Sequence, residues 1–466
     1  MLKLPSALYK KPSIALSGSF WVAIFFLVIQ QLIVASSSIW ITRVILHIPE
    51  GAPALFWLWL YLASLVLPYF PGALALIEVA KAQVSASVSY VRKFAELYPG
   101  RILEWSSHDQ RATKSSILSG EAHPTITSYV EYLYLLCSSG MNVLFNLTVL
   151  AVLIDKSLLI TYVAGLVFAF LLLYLQKNSK KRLALKAQQS RIRWISLLLK
   201  AWDNVLLNNL YNLKIWKENV IERSNRLVGK TIELERFSQS VSIAMAFLLI
   251  TPSLGLVAYF AYTRIDDIAF LAIVTVTLPR LFQVLNFSYE MLFLLADFPM
   301  QRAKLGTVAS VIDPDQNQEN MTEFANRIEW EKIIAQEKKS TTDSAEVVPR
   351  QLLHTLPKTG RITLRGENGS GKTSLLLSLK MKYHDEAFYL PSKHDLLFRT
   401  NTNRASTGQV SSQILKEIKD KINVSVILLD EWDASLDKNN RAEISSLIDE
   451  LALEHCVIEV LHNRQH

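Results

Sequence analysis

Cysteine is almost missing from this chain, with only Cys137 and Cys456 among 466 residues. Cys137 falls in an apolar run and Cys456 in a stretch patterned as a buried strand. That pair is not expected to form a disulfide, cannot build a cysteine-based metal site, and reads as two small core residues. Charge is missing from five long runs: Phe20–Trp40, Ala54–Leu76, Tyr132–Ile154, Leu158–Gln176 and Val241–Tyr262. Each is close to the roughly twenty apolar residues that cross a bilayer. A sixth run, Ile268 to about Leu295, is similar but carries charge. No small-residue cleavage site follows the basic N-terminus MLKLPSALYKKPS, so the first run reads as a retained span and not as a signal peptide.

Acidic residues are scarce where basic ones crowd. Between residues 177 and 230, thirteen lysines and arginines meet only Asp203, Glu218 and Glu222. The net charge of +8 is therefore concentrated between hydrophobic runs. The positive-inside rule places it there, which argues against nucleic acid as a partner and for membrane lipid.

Half the chain is hydrophobic and its mean hydropathy is +0.23, but the two ends differ. Residues 20–297 are dominated by apolar runs, and residues 298–466 are patterned like a soluble protein. The expected division is a six-helix transmembrane domain over 1–298, a polar linker over 299–327 and a shortened α/β domain over 328–466. Connections between spans alternate: short around Arg43–Ala52, Asp155–Lys156 and Arg264–Asp267, but long, basic and helical in pattern elsewhere. The long connections, Lys3, Lys10, Lys11 and the C-terminal domain then share the cytoplasmic side. Pro68, Pro71 and Pro252 fall inside spans, where neighbouring helices tolerate a kink.

Residues 366–373 read GENGSGKT. A strand-like stretch, Arg361–Arg365, precedes them and a helical run, Lys372–Lys380, follows, which is the setting a phosphate-gripping loop needs. Gly366, Gly369 and Gly371 let backbone N–H groups wrap phosphates, with Glu367, Asn368 and Ser370 completing the loop. Lys372 reaches the terminal phosphates, and the Thr373 hydroxyl holds Mg²⁺. The apolar run Val424–Leu429 ends in Asp430 and Glu431. An aspartate at such a strand tip takes Mg²⁺ through water, and the glutamate beside it polarises the attacking water. The cofactors expected are ATP and Mg²⁺.

Three further pieces follow in order. ASTGQ (Ala405–Gln409) precedes a helical stretch, Val410–Lys421; Ser435-Leu436-Asp437 follows the acidic pair; and His462 closes a strand-like run, Cys456–Leu461. With these, the tail resembles an ABC-transporter nucleotide-binding domain, and the six spans resemble the type I (type IV) ABC exporter membrane domain. The resemblance implies a polytopic α-helical membrane domain fused to an α/β P-loop ATPase domain of reduced size. It implies that Glu431 and His462 are catalytic, that Ser406, Gly408 and Gln409 belong to the signature, and that Asp437 ends the D-loop. The signature of one subunit then caps the nucleotide of another, so a homodimer is implied, exporting a peptide-like or amphipathic substrate by alternating access. The signature's form resembles exporters of cyclic or antimicrobial peptides or siderophores, and the implied location is a bacterial cytoplasmic membrane with both termini inside.

The chain departs from that family in three places. Lys372 and Asp430 are closer in sequence than usual, so most of the helical subdomain is reduced. Ser392 stands where the Q-loop glutamine belongs. No adenine-stacking aromatic is evident after Ile328-Glu329-Trp330. A nucleotide domain that binds ATP with little turnover, in a regulatory or sensing role, is the alternative, as is a lipid or drug exporter.

In the sixth run Arg280, Gln283, Asn286 and Glu290 recur at intervals of 3, 3 and 4, which keeps them on one side of a helix. Ionisable residues at membrane depth face a bundle interior or a wet cavity, so this stripe is expected either to line a substrate cavity or to hydrogen-bond neighbouring helices. Ser139, Asn142 and Asn146 form a similar stripe in the third run, and hydrogen bonding between helices is the simpler reading there.

Overall fold

The computed structural model describes residues 17–107, 114–115, 117–198, 200–312, 324–338, 344–399, 407–434 and 436–461. The chain forms two compact units, one from Met1–Ala95 and Ser115–Asp313 and the other from Glu96–Lys114 and Pro314–His466.

The first unit is helical. Its elements are α1 (Gly18–His47), α2 (Ala52–Val66), α3 (Tyr69–Leu97), α5 (Ala122–Leu153), α6 (Ser157–Leu198), α7 (Ala201–Leu206), α8 (Leu210–Thr263) and α9 (Ile268–Val311); α4 (Ile102–Ser106) lies in the second unit. Among the described residues, six helical stretches are long and apolar enough to cross a membrane, and each covers one of the expected runs to within a residue. The apolar residues outnumber what the interior can hold: Trp21, Phe25, Phe56, Trp59, Phe168 and Phe247 stay exposed on helix exteriors. Helices apolar on all sides are the pattern of chains solvated by lipid.

Proline shapes this unit. Pro68 interrupts the second span, dividing it into α2 and α3, because it lacks an N–H and its ring displaces the carbonyl four residues back. Pro71 sits in the first turn of α3, where a missing donor costs nothing. Pro252 lies inside α8 and leaves the Leu248 carbonyl without its usual donor. Gly165 of α6 approaches that carbonyl so closely that a Cβ would lie 3.1 Å from its oxygen.

Two apolar clusters hold the helices. Leu27, Ala75, Val79, Ala82, Ala86, Ile126 and Val308 join α1, α3, α5 and α9 in one; Leu147, Leu158, Met245, Leu249 and Leu285 join α5, α6, α8 and α9 in the other. The alanines of α3 recur at helical spacing and permit close backbone approach. Buried Tyr90 donates its hydroxyl to the Val308 carbonyl at 3.0 Å, so α3 and α9 are tied by a polar bond as well.

The second unit is an α/β domain. Its strands are β1 (Ile333–Lys338), β2 (Ser344–Val347), β3 (Gly360–Gly366), β4 (Ala387–Leu390), β5 (Val426–Asp430) and β6 (Cys456–Val460). They form one sheet in the order β2-β1-β3-β6-β5-β4. β1 runs antiparallel to both β2 and β3, whereas β3, β6, β5 and β4 are parallel. Every residue of β5 and β6 is buried, as expected for parallel strands covered on both faces. The helices are α10 (Lys372–Tyr383), α11 (Thr407–Lys421) and α12 (Lys438–Leu451). Between Lys372 and β5 the described residues contain only α10, β4, α11 and a short 3₁₀ turn, so the domain is small.

Candidate phosphate-binding site

The parallel register puts Leu364 of β3 and Asp430 of β5 on either side of Val460 of β6. The loop leaving β3 and the acidic tip of β5 therefore emerge at the same edge of the sheet. The loop turns through two left-handed glycines, Gly369 at φ +86° and Gly371 at φ +90°, a region that side chains with a Cβ avoid. Gly371 also has no room for a Cβ, which would lie 2.5 Å from the Arg327 carbonyl oxygen. α10 begins directly after it, so the loop ends at a helix N-terminus, where free N–H groups attract anions.

Lys372 is buried and folds back, its Nζ donating to the Gly366 and Glu367 carbonyls at 2.8 Å each. The Thr373 hydroxyl donates to Asp430, at 3.0 Å to Oδ2 and 3.3 Å to Oδ1. The buried Ser370 hydroxyl has no hydrogen-bond partner among the described residues. A cationic side chain, a helix N-terminus and an orphaned hydroxyl on one loop fit an anion, and the adjoining hydroxyl and carboxylate fit a hard cation.

Asp430 is only 5 % exposed. Burial pushes its carboxyl above the usual range and Glu431 adds to this, against hydrogen bonds from Tyr389 and Thr373 and the charge of Lys372. Tyr389 of β4 donates its hydroxyl to Asp430 Oδ2 at 3.0 Å, a contact that the sequence reading missed. Glu431 has φ +46°, uncommon for a residue with a side chain, and its N–H donates to the Val460 carbonyl at 3.0 Å.

Beside that strained residue lies a buried polar network. Glu459 of β6 is fully buried and receives Arg361 Nε at 2.8 Å and Nη2 at 2.9 Å, the Thr363 hydroxyl at 2.7 Å and Trp432 Nε1 at 2.8 Å. Arg361 Nη1 goes on to Ser445 Oγ and Asp449 Oδ1 of α12, both at 2.9 Å. Burial alone would lower the Arg361 pKa, but hydrogen bonds and charge from Glu459 and Asp449 raise it. A glutamate inside the otherwise apolar strand CVIEV was the visible signal, since a buried carboxylate demands partners.

The other expected residues fall as follows. Glu367, Asn368 and Gly369 are exposed on the loop. Asp437 caps α12, accepting from the Asn440 N–H at 2.8 Å and from Asn440 Nδ2 at 2.7 Å. Gly408, in the first turn of α11, packs against that same Asn440, whose amide carbon would lie 2.5 Å from a Cβ; Gln409 follows it, exposed. Ser406 and His462 lie outside the described residues. Ser392 is exposed two residues beyond β4, and Trp330 packs against the sheet's apolar cluster.

The first unit contains a cavity of about 480 Å³, lined among others by Gln30, Ser64, Tyr69, Thr277, Arg280 and Gln283. Asn286 and Glu290 do not line it. Arg280 reaches α1, donating to the Val34 carbonyl at 3.1 Å, to Ser38 Oγ at 3.3 Å and to Ser37 Oγ, and binds Gln283 Oε1 at 2.8 Å on its own helix. In the other stripe Ser139, Asn142 and Asn146 are all buried, and Asn142 Nδ2 donates to Gln31 Oε1 at 2.9 Å.

No known family of sequences matches this chain, and no curated protein does. Among solved structures it is similar to a bacterial Atm1-family ABC exporter with ATP bound, with a TM-score of 0.59 and 13% identity. The match covers 95% of this chain and 91% of that one. The chain thus shares the fold of that solved exporter: among the described residues, six helices long and apolar enough to cross a membrane and a small mixed-sheet domain.

Proposed function

We propose that the chain is an ATP-driven exporter that works as a homodimer by alternating access. The observation that carries this reading is the meeting of Thr373 with Asp430 at the N-terminus of α10, which makes one site of two motifs 57 residues apart. Lys372 and the loop N–H groups bind the phosphates of ATP, while Thr373 and Asp430 hold Mg²⁺. When bound, Mg²⁺ screens the phosphate charge and orients the terminal phosphoryl group. Glu431 accepts a proton from the attacking water, and its backbone hydrogen bond to Val460 fixes where its carboxylate starts. His462 assists beside the terminal phosphate. Ser406, Gly408 and Gln409 of the partner subunit close over that phosphate, and Asp437 lies at the same dimer seam.

The cavity lined by Arg280 and Gln283 supports a substrate path that takes peptide-like or amphipathic molecules, with Asn286 and Glu290 continuing it along α9. Both termini and the basic connections face the cytoplasm. We place the transmembrane part within 1–298 and the nucleotide domain over 328–466; the join at 299–327 begins as the end of α9, which runs on to Val311.

Inside-out vesicles carrying the full chain test this with a fluorescent amphipathic peptide. ATP-dependent accumulation that Lys372→Ala abolishes is the expected result. A second reading, an ATP-binding regulator with little turnover, draws on the small domain and on Ser392. ATP binding without accumulation or turnover favours it.

A further inference from the structure

α4 lies within the long connection between the second and third spans, yet it packs with the α/β domain. Ile102 is buried with Phe324, Leu377 and Met381, and Leu103 and Tyr389 pack against the same cluster. Leu377 and Met381 belong to α10, the helix that begins at Lys372. α4 is thus seated on the helix that carries the phosphate-binding lysine.

One residue of α4 goes further. The Trp105 ring meets the Tyr389 ring edge-on, with centroids 5.8 Å apart and planes at 88°. That arrangement lets the positive edge of one ring meet the negative face of the other. Tyr389 in turn donates its hydroxyl to Asp430 Oδ2, the oxygen that also accepts from Thr373. One side chain therefore contacts the inter-span helix with its ring and the acidic strand tip with its hydroxyl.

We propose that Tyr389 is a positioning residue that sets the Asp430 carboxylate according to where α4 sits, through the Trp105–Tyr389–Asp430 contacts. Displacement of α4 releases the Tyr389 ring, and the hydroxyl then no longer fixes Asp430. The arrangement supplies a path from the inter-span connection to the metal side of the site, in a chain with a serine where the resembling family carries its Q-loop glutamine. The idea rests on reading the site as one for ATP and Mg²⁺.

The test is equilibrium binding of a fluorescent, non-hydrolysable ATP analogue to the full chain in lipid nanodiscs, over a Mg²⁺ series. Tyr389→Phe keeps the ring and removes the hydroxyl. It is expected to raise the half-saturating Mg²⁺ concentration about tenfold, the usual cost of losing a partner of a metal ligand, with metal-free affinity unchanged. Trp105→Ala is expected to raise it about threefold, the worth of one aromatic pair, and Trp105→Phe to restore it. The double variant Trp105→Ala/Tyr389→Phe should match Tyr389→Phe alone. Leu103→Ala, which loosens the seat of α4 but keeps both rings, should raise the half-saturating Mg²⁺ concentration by no more than Trp105→Ala does, and should add nothing to Tyr389→Phe. An unchanged Mg²⁺ dependence in Tyr389→Phe, or effects that multiply in the double variant, overturns the proposal. A wild-type chain that binds no nucleotide overturns the site reading as well.

Discussion

Trp432 Nε1 donates to Glu459 Oε2 at 2.8 Å, joining the residue after Glu431 to a fully buried carboxylate on the neighbouring strand. Glu459 is also held by Arg361 in a two-pronged pair. Removing Glu459 leaves buried Arg361 with Ser445 and Asp449 but with its two prongs toward β6 unmatched, at a cost of up to about 3–5 kcal/mol. Glu459→Leu is therefore expected to destabilise the domain by about that much, measured by thermal unfolding or limited proteolysis. The double variant Arg361→Met/Glu459→Leu should recover most of the loss. Equal destabilisation in the single and double variants would show that shape, and not the stranded charge, decides the outcome.

The two left-handed glycines of the loop should respond differently. Gly369 has open space around its missing Cβ, so Gly369→Ala meets only backbone strain, about 1–2 kcal/mol. Gly371→Ala meets the same strain and collides with the Arg327 and Ile328 backbone. ATP-analogue binding should survive in Gly369→Ala, weakened, and be lost in Gly371→Ala. Equal affinities in the two variants would contradict the geometry of the loop.

Burial, with repulsion from Glu337, holds the Cys456 thiol up at about 12, against about 8.5 for a free thiol. The folded state therefore keeps a proton that the unfolded state loses. The stability linked to this group is intact below about pH 8.5 and lost as the pH climbs toward 12. In a Cys137→Ser background at about pH 8, Cys456 should stay unlabelled by a thiol reagent until the domain unfolds. Labelling of the native protein at the rate of a free thiol would refute this.

Arg280 anchors α9 to α1 through Val34, Ser37 and Ser38. Interhelical hydrogen bonds in membranes contribute about 0.6 kcal/mol each. Arg280→Ala should thus lower unfolding stability by about 2 kcal/mol, and Arg280→Lys should not restore it, because an ammonium cannot reproduce the guanidinium fork. Full stability in both variants would leave Arg280 a cavity residue only.

The spans and the strand–loop–helix of the site were legible because each is a local pattern. Uncharged runs need only their length to be recognised, and the helix after GENGSGKT and the strand ending in Asp430 lie where periodicity puts them. What sequence could not reach was everything set by sheet order. Arg361, Trp432 and Glu459 meet because β3, β6 and the end of β5 are neighbours, and Tyr389 reaches Asp430 because β4 pairs with β5. The α9 stripe was legible as a stripe, but its spacing held no sign that α1 would receive Arg280 or that only Arg280 and Gln283 would line the cavity. Helical periodicity gives a face and not its neighbour.

The proposed turnover of ATP at this site depends on the Glu431 carboxylate. The measurement is ATP hydrolysis and ATP affinity on the same nanodisc samples of wild type, Glu431→Gln and Lys372→Ala. The account predicts Mg²⁺-dependent turnover in wild type, a fall of at least about a hundredfold in Glu431→Gln with affinity retained, and weakened ATP binding itself in Lys372→Ala. Equal turnover in wild type and Glu431→Gln would contradict it.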